Sequence, residues 1–219
     1  MIDEFSKLIP SSLKSRSGSV FYSGRDAYVG AKDLYILGVN PGGSPEGRED
    51  ESVEWHTEKV INESSDWSAY RDESWLGSAP GTRGMQPRVL HLFRKLGCSA
   101  GSVPASNIVF VRSSREVNLD GNMQEMAEIC WPFHEAVISN LSPKAILCFG
   151  QTAGNFICHK LSASKQVDEF VEQNNRRWTS RTFQNNNGIK IIVATHPSIA
   201  NWVSPVTDPT VLVSRALGQ

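Results

Sequence analysis

Four short apolar runs are the feature that most limits how this chain can fold. Each run contains almost no polar residue, so each is expected to form a strand that is covered on both faces, as strands of parallel sheets are. Helical patterns lie between the runs. This alternation predicts an α/β fold, a three-layer doubly wound arrangement around a four-stranded parallel sheet. The predicted strands are Leu34–Val39, Ile108–Val111, Ala145–Phe149 and Ile189–Ala194.

The segments between the strands carry apolar residues at helical spacing. Pro132 lies inside the longest of them, where it predicts a kink or a broken turn. Asn122, with Glu125 three residues later, is typical of a capping box at the start of that helix. The polar stretch 163–188 is interpreted as an excursion that closes in a turn before the last strand. The predicted helices are Ile2–Lys14, Val53–Ile61, Arg83–Leu96, Asn122–Leu141, Thr152–Leu161 and Thr210–Leu217.

The length of 219 residues suits one domain over 1–219, with an acidic excursion at 44–75. No apolar run approaches the length needed to cross a bilayer, so no membrane partner is expected. The first residues lack the basic and apolar regions of a signal peptide, and a cytoplasmic location is therefore expected. The four cysteines have no close spacing, which predicts neither a disulfide framework nor a metal site.

Charge is unevenly distributed along the chain. The net charge is −1, which by itself argues against a nucleic-acid partner. Segment 44–75, however, holds ten acidic and three basic residues and carries −7, so the rest of the chain carries +6. The pattern allows a basic face with an acidic excursion elsewhere, and it equally allows scattered solvated charges.

Two polar loops follow the first and the last predicted strand. Residues 40–43 read N-P-G-G, and residues 196–198 read H-P-S. Parallel strands end at one edge of a sheet, where open α/β sheets place their sites, so Asn40 and His196 are expected to face one crevice. Each loop alone also has a structural interpretation, as a polar turn that satisfies local backbone groups. The glycine spacing matches neither a dinucleotide fingerprint nor a Walker A loop.

Taken together, the loops resemble the two signature loops of the uracil-DNA glycosylase superfamily. G-x-N-P-G stands at 38–42, after the first strand, and H-P-S follows the last strand. Segment 107–112 is similar to the strand that carries the base-reading asparagine of that family, here Asn107. The order and spacing of these elements agree with the family over residues 34–43 and 75–200, which implies a uracil-DNA glycosylase-like fold.

The middle of the chain resembles the iron–sulfur branch of the superfamily, with differences. Segments 128–135 and 141–153 are similar to its long helix, Pro-Lys turn and third strand, and G-T-R-G at 81–84 is similar to the start of another of its helices. Cys130 matches one cluster ligand, but Val111 replaces another and the N-terminal pair is missing, so no cluster is expected. Asn40 is instead similar to the mismatch-specific branch, which His196 fits less well.

The resemblance implies a monofunctional DNA glycosylase that hydrolyses the N-glycosidic bond of uracil or a related damaged base in base-excision repair. It implies a monomer that needs no cofactor and acts on DNA containing a damaged base. Asn40 would position a water, and neutral His196 would donate to a base carbonyl. Asn107 would hydrogen-bond the base edge. Because an amide cannot take a proton, Asn40 is expected to give slower excision than a carboxylate would.

Other positions receive roles from the same resemblance. The face that receives the extruded base is assigned to Trp75 or Tyr70, of which Trp75 is the better positional match; a core role for Trp75 is the alternative. Ile199 or Trp202 would be the wedge that fills the vacated stack. Further residues assigned to the base or to DNA are Val39 for the base, and Gly42, Gly43, Ser198, Ile199, Arg112 and Arg115 for DNA.

Two other functions stay open at the level of the sequence. A catalytically weak member would bind DNA or nucleotides without excising a base, which Asn40 and the near-neutral charge favour. An unrelated α/β hydrolase of small molecules is the third class. The chain lacks G-x-S-x-G and has no paired carboxylates in the candidate loops, which argues against that class.

Overall fold

The computed structural model describes residues 2–114 and 123–219, and its centre is a six-stranded mixed sheet. The strands are β1 (Leu34–Gly38), β2 (Ala105–Asn107), β3 (Ala145–Phe149), β4 (Lys165–Val171), β5 (Thr179–Gln184) and β6 (Lys190–Ala194). They lie in the order β2-β1-β3-β6-β5-β4. The first four in that order are parallel, and β5 pairs antiparallel with both β6 and β4.

The α/β class is confirmed, but the prediction of a four-stranded parallel sheet was wrong. The two additional strands come from the polar stretch 163–188. Most of β4 is exposed, so its sequence lacks the apolar run that marks a covered strand. The turn at 185–188 was expected, and because it is short it joins β5 to β6 as antiparallel neighbours.

Helices cover both faces of the sheet. They are α1 (Ile2–Ser6), α2 (Val53–Asn62), α3 (Gln86–Lys95), α4 (Met123–Leu141), α5 (Gln151–Lys160) and α6 (Thr210–Leu217). Residues of α1, α2, α4 and α5 pack on one face, and residues of α3 and α6 pack on the other. Side chains of β1 alternate between these two cores, Tyr35 to the first and Ile36 to the second, as the two-residue period of a strand requires.

Two predicted elements differ from those observed. The predicted strand Ile108–Val111 lies just beyond β2; its residues are buried, but the ladder with β1 ends at Asn107. Residues 108–111 are apolar because they are buried, and a buried segment outside a ladder has the same apolar sequence as a covered strand. The predicted helix Ile2–Lys14 is a short α1 followed by a 3-10 turn at Ser11–Leu13, directly after Pro10. Helix α4 continues through Pro132, and its predicted cap Asn122 lies outside the described residues.

Candidate active site

The site lies where the four parallel strands end. Asn107 closes β2, Gly38 closes β1, and Gly150 and His196 follow β3 and β6. Neighbouring strands lie about 4.8 Å apart, so β2 and β6 are separated by roughly 14 Å across the two inner strands. Both inner strands are followed or closed by glycine at this edge, which leaves the space above them free of side chains from those positions.

Asn107 lies over the end of β1. It is buried, and a Cβ added at Gly38 would lie 2.2 Å from Asn107 Oδ1. The two residues are register partners in the parallel ladder. Only glycine at position 38 therefore leaves room for the amide in this orientation, and the side chain is directed from β2 toward the middle of the sheet edge.

His196 approaches from the opposite side. A Cβ added at Gly150 would lie 3.8 Å from both Cβ and Cδ2 of His196, and the imidazole meets the Phe149 ring edge-on at a centroid distance of 6.0 Å. Phe149 belongs to the core formed with α3 and α6, as does Ala105, two residues before Asn107. His196 and Asn107 therefore lie on the same face of the sheet, each beside a glycine of an inner strand.

The hydrogen bonds of His196 fix its tautomer. Nδ1 lies 3.0 Å from the Ser198 backbone N–H, which can only donate, and 2.7 Å from Ser198 Oγ. Nδ1 must therefore accept, which puts the proton of the neutral ring on Nε2. Within the described residues, Nε2 has no hydrogen-bond partner. The ring thus carries an unused N–H donor, the form needed to stabilise negative charge on a bound group.

Burial lowers the pKa of His196 to about 4, so the ring is neutral at physiological pH. If neutral His196 acts in excision, the single-turnover rate should be constant from about pH 8 to about pH 5.5 as far as this group is concerned. The rate should fall toward pH 4, because a protonated Nδ1 no longer accepts the hydrogen bond from the Ser198 N–H that holds the ring in its orientation. A pH–rate profile measures this. A loss of activity centred near the ordinary histidine pKa of about 6.5 would contradict the assignment.

Asn40 is held by its own amide. Nδ2 donates to the carbonyl oxygens of Pro41, at 2.9 Å, and Ser113, at 3.2 Å, so the orientation of the side chain is set by two acceptors. Oδ1 has no hydrogen-bond partner in the described ranges and is the atom that remains for a ligand or a water. The hydrogen bonds of Nδ2 alone therefore account for the structural role predicted for Asn40, that of a partner for local backbone groups.

A row of aromatic rings runs from Asn107 along the same face. Tyr22 and Tyr70 have centroids 6.0 Å apart, and Tyr70 and Trp75 are 6.1 Å apart. Tyr70 is only 3 % exposed, whereas Trp75 is half-buried and offers the larger free surface. Trp75 Nε1 donates to Glu73 Oε2 at 2.9 Å, which holds the indole in place.

Tyr22 lies beside the Asn107 amide. Burial raises the pKa of Tyr22, and hydrogen bonds with Ser19 and Asn107 oppose the rise. Ser19 Oγ donates to the Tyr22 hydroxyl at 3.1 Å. Asn107 Oδ1 lies over Gly38, so the amide stands between Tyr22 and the end of β1.

Replacing Tyr22 with phenylalanine should slow base excision up to about tenfold, because it removes the hydroxyl beside the Asn107 amide, and one hydrogen bond at that place contributes roughly 1 kcal/mol. Relative rates on different bases should also move closer together. Tyr70→Phe is the matched control, since it removes a hydroxyl from the same row of rings without touching Asn107. Equal rates for Tyr22→Phe and wild type on every base would show that Tyr22 has no such role.

Arg112, which was predicted to contact DNA, makes its hydrogen bonds within the protein. The Arg112 guanidinium donates to Gly42 O at 2.8 Å, to Ser17 Oγ at 3.2 Å and to Glu51 at 3.0 Å, and its side chain is 10 % exposed. Arg112 therefore stabilises the loop at 40–43 through contacts inside the protein. Arg115, the other predicted cation, lies outside the described residues.

The remaining loop residues lie beside these groups. Val39 packs against the core formed with α4, and its carbonyl accepts from the Val109 N–H at 2.9 Å. Gly42 and Gly43 are exposed, and Gly43 has a φ of +95°, a conformation that glycine adopts without strain.

The two predicted wedge residues, Ile199 and Trp202, lie in the loop after β6 and differ in exposure. Ile199 is 57 % exposed and follows directly after Ser198, so it is free to contact a ligand. Trp202 is fully buried, and its indole N–H donates to Thr195 O at 3.0 Å. Trp202 is therefore a core residue that supports the His196 loop, and of the two only Ile199 has the exposure that a wedge requires.

The end of the acidic segment forms a polar cluster beside the aromatic row. Glu73 Oε1 pairs with Lys59 at 3.1 Å and lies 4.0 Å from His56 Nε2, while Gln86 Nε2 donates to Glu73 O. Burial lowers the pKa of His56 to about 4. These residues, like Tyr22 and Gly150, were not singled out in the sequence, because their role depends on contacts between distant segments.

In the described part of the chain, no group of three or more His, Cys, Asp or Glu side chains is placed to hold a metal ion. Cys130 and Cys148 are buried in the core, and burial raises the pKa of Cys130 to about 12. Over the same residues, no helix has the length and apolar character to cross a membrane.

The fold and site define an α/β protein with polar side chains gathered at the carboxyl edge of its parallel strands. Comparison with known proteins does not assign it further: no family model matches the chain, and no curated protein matches it significantly. The resemblance to the uracil-DNA glycosylase superfamily is therefore a hypothesis that rests on the sequence motifs.

Proposed function

We propose that this protein is a monofunctional DNA glycosylase that releases uracil or a related damaged base from DNA. One observation carries the proposal. Asn107 and His196 reach the same edge and the same face of the sheet from opposite sides, beside Gly38 and Gly150, and His196 presents an unused Nε2–H. A planar base between them would meet an amide on one side and a neutral donor on the other.

In the proposed reaction, the bond between C1′ of deoxyribose and the base nitrogen breaks, and its electron pair leaves with the base. His196 Nε2–H donates to a carbonyl oxygen of the base and stabilises the growing negative charge. Asn40 Oδ1 accepts a hydrogen bond from the water whose oxygen attacks C1′. The water proton passes to solvent, since an amide does not take it.

Selection of the base falls to Asn107 and Trp75. The Asn107 amide offers one acceptor and one donor, and a base that fails to match them leaves buried polar groups unpaired. Trp75 would stack on the base once it has left the duplex, at a cost of a few kcal/mol for unstacking and unpairing. Trp75 stands at the far end of the aromatic row and is linked to Asn107 through Tyr70 and Tyr22.

A second candidate is a protein that binds DNA or nucleotides without excising a base. The observation that favours it is Asn40, whose amide is tied to two backbone carbonyls and cannot act as a general base. The two candidates use the same residues at this edge of the sheet and differ in whether the glycosidic bond breaks.

Excision assays on defined DNA separate the two. The protein is incubated with duplexes that each hold a single uracil, hypoxanthine, xanthine or mismatched thymine, and abasic sites are then cleaved with alkali. The proposal expects cleavage of at least one duplex at the position of the altered base, and no cleavage of the unmodified control. Tight binding to the same duplexes with no abasic site formed would select the second candidate.

A further inference from the structure

The two strands missed in the sequence extend the edge that carries His196. Strand β4 runs parallel to β6, so the turn 172–178 between β4 and β5 lies at the carboxyl edge. Ser180 Oγ, just after the turn, accepts from the Thr195 N–H at 3.0 Å, next to His196. The turn therefore borders the candidate active site.

Two hydrogen bonds fasten the turn to the loop that follows His196. Arg176 Nη1 donates to Ile199 O at 3.0 Å, and the Gln173 N–H donates to Val206 O at 2.8 Å. Glu172, whose side chain is 1 % exposed, accepts from Arg176 Nη2 at 3.1 Å and from the Asn174 side chain at 2.8 Å. The turn is thus held in one geometry relative to the loop.

The joined segments form an exposed surface of apolar and basic side chains, here called the hairpin surface. The Arg176 guanidinium lies 4.0 Å from the centroid of the Trp178 ring. Arg177 is exposed, has a φ of +50° and makes no ion pair within residues 2–114 and 123–219. The exposed apolar members are Trp178 at 38 %, Ile199 at 57 %, Val203 at 46 % and Val206 at 39 %.

We propose that the hairpin surface binds single-stranded nucleotides flanking the base held at His196. Trp178 would stack on a flanking base, and Arg177 would pair with a phosphate. An aromatic ring next to an unpaired cation is the combination that binds single strands without sequence preference. This inference deepens the proposed function and rests on it, because the substrate that enters the pocket must continue past the pocket rim.

The spacing of the strands sets how far the hairpin surface lies from the base held at His196. One strand spacing separates β6 from β5, which begins directly after Trp178, and two separate β6 from β4, or about 5 to 10 Å. At about 3.4 Å per stacked nucleotide, the hairpin surface lies about two to three nucleotides from the base held at His196. Only one flank of the substrate should reach it, since the surface lies beyond β6 and not beyond β2.

Binding of a fluorescent, undamaged single-stranded oligonucleotide tests the inference by anisotropy. Trp178→Ala and Arg177→Glu should each weaken binding about tenfold, and Arg177→Glu should also reduce the salt dependence by about one phosphate contact. The matched controls are Trp55→Ala, an exposed indole that lies beside the cation of Lys59, and Lys144→Glu at the opposite edge. Both controls should bind as the wild type does.

Shortened substrates then locate the contact. With the target base in the middle of the strand, the variant effect should disappear when one flank is cut to fewer than two nucleotides and persist when the other flank is cut to the same length. Unchanged binding by both variants would overturn the inference, as would equal losses in the controls, whether or not bases are excised. Weakened binding by the variants together with no excision of any base would keep the hairpin surface and reject the proposed function.

Discussion

Replacing His196 with alanine should slow base excision by about 10² to 10³-fold while DNA binding is retained. The half-buried imidazole is neutral, and the Ser198 N–H at Nδ1 leaves Nε2–H as its only donor. A single donor placed where negative charge develops contributes a factor of this size. Single-turnover excision on the best substrate of the lesion panel measures the rate, and anisotropy with the same duplex measures binding.

Two further variants make the His196 experiment specific. His159→Ala removes an exposed histidine near the end of α5 and should leave the rate unchanged. His196→Gln keeps an N–H donor on a side chain of comparable reach and should recover part of the loss. An alanine variant as fast as the wild type would remove His196 from the mechanism, and an equal loss in alanine and glutamine variants would point to a structural role.

Replacing Gly38 with alanine should lower excision by about 10²-fold with little change in the free energy of unfolding. The new Cβ would lie 2.2 Å from Asn107 Oδ1, the end of a side chain, so the amide rather than the backbone must move. A displacement of about 1 Å in a positioning group costs a factor of this order. Rates come from single-turnover assays and stability from urea unfolding.

Gly188→Ala is the control for the rate, because it adds the same methyl group in the turn before β6, at the opposite edge of the sheet, where no atom lies within 4 Å of the added Cβ. It should excise at the rate of the wild type. If Gly38→Ala is as active as the control, the position of the Asn107 amide does not limit the reaction. A large loss of stability in Gly38→Ala would mean that the backbone shifts instead, and that the amide is not the group affected.

The parallel strands were predictable because burial on both faces requires apolar runs, and β1, β3 and β6 coincide with such runs within one residue. The β4–β5 hairpin was not, since a half-exposed edge pair needs no continuous apolar sequence. The order of the strands follows from which helices fill which face, and no local pattern contains that information.

The candidate site, like the fold, could be predicted from the sequence only in part. His196 could be selected because it follows a predicted strand, where topology brings side chains to one edge. Asn107 was selected only through the family resemblance, since the predicted strand began at Ile108 and the observed β2 ends at Asn107. Their orientations depend on contacts between distant segments: Tyr22 lies 85 positions from Asn107, and Gly150 lies 46 from His196. Likewise, Arg112 has the residue type of a phosphate contact, yet its guanidinium is taken up by Gly42, Ser17 and Glu51.

Side-chain NMR gives the most direct test of whether one base is held by both groups. Protein labelled with ¹⁵N is titrated with a duplex whose target nucleotide carries a 2′-fluoro group, which resists hydrolysis. The His196 ring should show a proton on Nε2, and its signal and that of the Asn107 amide should shift together with one dissociation constant. A shift of only one of the two signals, or of neither, would contradict a shared pocket at this edge of the sheet.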